Sequence, residues 1–84
     1  MSRVKVYGAD WCEDTRTARE RLDNLGVGYD YVNIERDERA ASWVREQNEG
    51  KERKPTIKVG EQVLSAPSAE ELEGALGSNG VLSL

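Results

Sequence analysis

Histidine is absent from this 84-residue chain, and cysteine occurs once, as Cys12. Without histidine there is no Cys–His catalytic pair and no histidine-based metal site. With a single cysteine, neither an intramolecular disulfide nor a cysteine-rich zinc site can form, so no metal site is expected. Apolar runs extend over only a few residues, whereas a membrane-spanning helix needs about 20. Basic residues are outnumbered twelve to sixteen, for a net charge of −4. That balance opposes broad binding to a phosphate backbone. Neither nucleic acid nor membrane is therefore an expected partner. The opening Met1-Ser2-Arg3-Val4-Lys5-Val6 has no apolar signal segment, and the expected location is the cytoplasm.

What remains is a mixture of 37% hydrophobic and 33% charged residues, the balance of a soluble globular chain. One domain over residues 1–84 is expected, with a small core and a frayed tail over 78–84. Val4 and Val6 alternate with Lys5 and Tyr7, which predicts a strand. Glu13 to Leu25 has helical spacing at Ala18, Leu22 and Leu25, with acidic residues in its first turn and Gly26 behind it. Tyr29 to Ile34 is rich in β-formers. Asp37 is placed as an N-cap for a helix running to about Glu49, with Ala40, Trp43 and Val44 on its apolar face. Pro55 to Val59 and Gln62 to Leu64 flank Gly60-Glu61, a hairpin turn. Ser68 with Glu71 forms a capping-box pattern for a last helix ending at Gly77. The order β-α-β-α-β-β-α, with a right-handed crossover between the first two strands, predicts an α/β fold. Its four-stranded mixed sheet is covered by three helices.

Cys12 falls between a strand end and a helix start. The thiolate is the reactive form of cysteine, and the unpaired N–H groups of a helix N-terminus favour it. Arg16 and Arg19 add positive charge nearby, while Glu13 and Asp14 oppose it. Thr15 stands where a Cys-x-x-Cys motif has its second cysteine. A hydroxyl there can donate to the sulfur but cannot resolve a mixed disulfide. Trp11 adjoins the thiol and can line a groove. Lys54 can meet a carboxylate, and the helix start at Ser68-Ala69 can hold an anionic group.

Taken together, Val4-Lys5-Val6-Tyr7 with Trp11-Cys12, the Leu25 to Ile34 segment, Lys54-Pro55-Thr56-Ile57 and Pro67-Ser68-Ala69-Glu70-Glu71-Leu72 resemble the glutaredoxins of the thioredoxin-fold superfamily. The likeness is greatest to the short bacterial mycoredoxins. It implies a thioredoxin/glutaredoxin fold and monothiol thiol–disulfide exchange in redox homeostasis and electron transport. By the same resemblance Cys12 is the nucleophile and Pro55 a cis proline facing it. The backbone at Lys54 pairs with a bound thiol compound, whose carboxylate end the Ser68-Ala69 turn holds. Arg16 is a further expected binding residue. The expected co-substrate is glutathione, mycothiol or a similar low-molecular-weight thiol, with no tightly bound cofactor. Proteins carrying thiol mixed disulfides are the expected partners of a monomer. Two other readings stay open. One is a non-catalytic thiol- or iron–sulfur-binding module, using Cys12 and an external thiol ligand. The other is an oxyanion reductase resembling the arsenate reductases, on Cys12, Thr15 and Arg16.

Overall fold

The computed structural model describes residues 3–82. Four strands and three helices alternate: β1 (Val4–Gly8), α1 (Glu13–Asn24), β2 (Asp30–Asn33), α2 (Glu38–Gln47), β3 (Thr56–Val59), β4 (Gln62–Ser65) and α3 (Ala69–Ser78). The strands form one sheet in the order β2-β1-β3-β4. β1 runs parallel to β2 with Val6 opposite Tyr31, and antiparallel to β3 with Val6 opposite Ile57. The β3–β4 hairpin closes the far edge. This is the four-stranded mixed sheet that the strand and helix order predicts, in the thioredoxin/glutaredoxin arrangement that the resemblance implies.

Alternation along β1 decides which helices go where, because successive side chains point to opposite faces of a sheet. Val4 and Val6 are fully buried with Ile57 and Val59 under Leu22 of α1 and Leu72, Ala75 and Leu76 of α3. Tyr7 points the other way, to a smaller cluster in which α2 supplies Ala41 and Val44 beside Ile34. There Tyr7 meets Trp43 with ring centroids 4.8 Å apart. Two helices therefore cover one face and one helix covers the other.

The helix ends follow the residues that set them. Asp37 accepts a hydrogen bond from Ala40 N–H at 3.0 Å and starts α2. Ser68 and Glu71 form the full capping box at the head of α3. Gly26, at φ +71°, ends α1. Its N–H donates to Asp23 and the Val27 N–H donates to Leu22 at 2.9 Å, which satisfies two carbonyls of the last turn. The same pair of bonds recurs after α3, where Gly80 N–H donates to Gly77 and Val81 N–H to Leu76. It turns Val81 and Leu82 back onto the main core. Within the 78–84 tail, the turn after α3 thus gives the described residues both backbone bonds and apolar cover. Residues 83–84 lie outside the described range.

Among the described residues no helix is long and apolar enough to cross a membrane. Leu22 and Leu76 are each fully buried in the main core. Replacing either by alanine is expected to cost about 2–5 kcal/mol of stability. Urea denaturation measures it, and a loss near zero for both would place the core elsewhere.

Candidate active site

The site is built where β1 hands the chain to α1. Gly8 ends the strand against the side chain of Thr15. A methyl group on Gly8 would lie 2.6 Å from Thr15 Cγ2 and closer still to Oγ1, so only glycine lets the helix approach. Thr15 is fully buried, and its hydroxyl accepts a long 3.5 Å hydrogen bond from Ala9 N–H. The turn is closed by Cys12 N–H donating to the Ala9 carbonyl at 3.1 Å. These contacts leave Cys12 in extended geometry at the N-cap of α1, half-buried. Its thiol faces the Lys54 carbonyl oxygen across 3.9 Å. Lys54–Pro55 is a cis peptide, and Pro55 is buried.

Beside the thiol, a cleft of about 200 Å³ runs between α1 and the start of α3. One wall is Asp14, Thr17, Ala18 and Arg21, spaced at i, i+3, i+4 and i+7 so that they share one face of α1. Pro55 forms one end, and Pro67, Ser68 and Ala69 form the opposite wall. Within the capping box, Ser68 N–H donates to Glu71 Oε1 at 2.8 Å and Glu71 N–H to Ser68 Oγ at 3.1 Å. The Ser68 N–H holds the Glu71 carboxyl below the usual carboxylate range. Among the described residues, the first-turn N–H groups of Ala69 and Glu70 are left for a ligand. Arg21 is held by Glu73 at 3.3 Å, with both side chains well exposed, a pair weak enough to yield to a ligand. The cleft, whose Pro55 end adjoins the Lys54 carbonyl that faces the thiol, thus offers a carboxylate, a guanidinium and helix-terminal N–H groups to a small polar molecule.

The glutaredoxin family model matches residues 4–64. The chain belongs to the glutaredoxin family. It is 38% identical over 58 residues to mycoredoxin 1 of Corynebacterium glutamicum, covering 69% of this chain and 71% of the relative. It is 32% identical over 74 residues to a protein of Mycobacterium tuberculosis named as a glutaredoxin, covering 87% of this chain and 88% of that one. In shape it is similar to the glutaredoxin of Archaeoglobus fulgidus, with a TM-score of 0.78 over 90% of this chain and 87% of that one at 21% identity.

Against this glutaredoxin frame, the residues singled out from sequence separate. Cys12, Lys54 and Pro55 meet at the thiol, and Pro55, Ser68 and Ala69 line the cleft. Thr15 does not meet the sulfur, because its hydroxyl serves the backbone at Ala9. Arg16 is exposed and stands outside the cleft wall. Its place there is taken by Arg21, on the same face of α1 as Asp14. Arg19 turns instead to β2, with its guanidinium 3.8 Å from the Tyr31 ring centroid and 3.3 Å from the Tyr29 hydroxyl. Tyr31 O–H donates to Asp10 at 2.7 Å, tying the loop before Cys12 to the sheet. This network joins residues 10, 19, 29 and 31, and no spacing in the sequence announces it. Burial first, and then the bond to Asp10, push the Tyr31 phenol up to about 12.

Two tests follow from this geometry. Gly8→Ala is expected to cost about 1–3 kcal/mol by overpacking, and Thr15→Ala in that background should recover part of it; an unaffected single variant would contradict the close approach. The raised Tyr31 value means that the folded state favours the protonated phenol. The stability it contributes is complete below the ordinary tyrosine value near 10 and is lost as pH rises toward 12. Phenolate absorbance of the wild type minus that of Tyr31→Phe should therefore titrate near 12; a midpoint at the ordinary value would mean that the phenol is neither buried nor bonded to Asp10.

Proposed function

We propose that this chain is a monothiol oxidoreductase that removes low-molecular-weight thiols from proteins, acting as a monomer in the cytoplasm in redox homeostasis. The observation that carries the reading is Cys12. It is placed at the N-terminus of α1 and beside the Lys54 carbonyl, next to a cleft lined by Pro55, Ser68 and Ala69. Every group needed comes from one chain, so a monomer suffices. Membership of the glutaredoxin family and the likeness to mycoredoxin 1 support the same chemistry.

The Cys12 thiolate attacks the small-thiol sulfur of a mixed disulfide. The S–S bond breaks, and the protein sulfur leaves with the electron pair and takes a proton. Cys12 is then disulfide-bonded to the small thiol, which lies in the cleft. There, Asp14 accepts hydrogen bonds from its hydroxyl or ammonium groups, while the Ala69 and Glu70 N–H groups and Arg21 meet a carboxylate or carbonyl. Because Thr15 holds the position of a second cysteine, this adduct cannot be resolved within the chain. A second small thiol, the reductant, attacks as its thiolate, bonds to the first small-thiol sulfur and releases Cys12 as thiolate. Glutathione, mycothiol or a similar thiol fills both roles.

Intact mass after one equivalent of a peptide mixed disulfide should show the small thiol, not the peptide, attached to Cys12. Excess small thiol should remove it. Cys12→Ser should show no adduct and only the uncatalysed rate of exchange. Trapping of the peptide, or exchange that survives Cys12→Ser, would overturn the mechanism.

A further inference from the structure

Trp11 and Lys54 stand beside the thiol but outside the cleft. The cleft opens on the face covered by α1 and α3. The two side chains are tied to the opposite side, where α2 lies. Trp11 is 64% exposed, and its Nε1–H donates to Glu35 at 2.7 Å. Lys54 Nζ donates to the Glu52 carbonyl at 3.4 Å and lies 3.9 Å from the Glu52 carboxylate. That carboxylate is already held by Arg45 at 2.5 Å, and Arg45 also binds Glu38 at 2.5 Å. Coulombic attraction falls with distance, and at 3.9 Å the Lys54–Glu52 contact is the longest ion pair among the described residues, so Lys54 is held only loosely. Its ammonium lies 5.6 Å from the centre of the Trp11 ring, on a side chain only 17% exposed. A cation partly withdrawn from water and poorly paired attracts a further anion more strongly than a solvated one does.

We propose that Trp11 and Lys54 read the protein half of the mixed disulfide, favouring partners that carry a carboxylate beside the modified cysteine. The inference rests on the exchange reading above. In that reaction the small thiol enters the cleft, and the leaving protein sulfur departs from the side away from it, past the exposed indole and the Lys54 ammonium. The acids that hold the two side chains on this side, Glu35 and Glu52, are exposed. They repel an acidic partner, so the preference depends on Lys54 and should vanish or reverse without it.

The test compares second-order rate constants for glutathionylated peptides that differ only in a Glu or Gln next to the modified cysteine. The wild type should favour Glu by about two- to five-fold, the size of one partly exposed ion pair, and less at high salt. Lys54→Met, whatever its absolute rate with either peptide, should lose or invert the ratio of the Glu rate to the Gln rate. Equal wild-type rates for both peptides would overturn the inference while leaving the exchange reading intact. If Lys54 instead reads a carboxylate of the small thiol, Lys54→Met would slow both glutathionylated peptides equally and spare the same peptides carrying cysteamine, which has no carboxylate. That result too would overturn the protein-side assignment. Failure of Cys12 to form an adduct with any peptide would overturn the exchange reading, and this inference with it.

Discussion

The close approach of α1 to the end of β1 is the contact on which the site depends. Because Gly8 has no side chain, Thr15 packs fully buried against the strand and its hydroxyl takes up the Ala9 N–H. That docks the first turn of the helix and leaves Cys12, three residues earlier, as its N-cap. A helix set further out would carry the thiol away from the Lys54 carbonyl and the α1 wall of the cleft away from α3. The position that holds no second cysteine is therefore not idle. Thr15 takes part in placing the thiol, through its burial and its bond to Ala9 N–H.

In the proposed exchange, the two faces of the sheet would receive the two halves of a mixed disulfide. On one face, α1 and α3 share the main core and leave the cleft between Asp14, Arg21 and the Ser68-Ala69 turn. Toward the other face lie Trp11, Lys54 and the charged residues that anchor them, Glu35, Glu52 and Arg45. Cys12 and Pro55 stand at the border. Under the proposed reading the small thiol and the protein it modifies would meet different chemistry, a polar cleft on one side and an exposed indole with a buried-stem cation on the other.

Much of this architecture was legible in the residues. Strict alternation at Val4 and Val6, the N-cap Asp37 and the Ser68/Glu71 pair each act through neighbours in sequence, so local patterns located β1, α2 and α3 closely. The thiol and the Ser68-Ala69 turn were legible from their places at helix starts, and Pro55 as a cis proline through resemblance. What escaped was set by tertiary packing. Thr15 is polar in sequence, yet it is buried because Gly8 makes room. Arg16 and Arg21 are alike in type and lie on one helix, and only the position of α3 decides which of them enters the cleft. Arg19, Asp10, Tyr29 and Tyr31 are brought together by the parallel pairing of β1 with β2. The tail docks because Gly80 allows a second backbone turn onto Leu76.

The most direct test of this account is the set of backbone amide resonances that move when Cys12 is converted to its mixed disulfide with a small thiol. Shifts should concentrate at Thr17, Ala18, Arg21, Ser68 and Ala69, with the α2 face little changed. Shifts confined to Trp11, Glu35 and α2, with the cleft silent, would contradict the placement of the small thiol and the division of the site built on it.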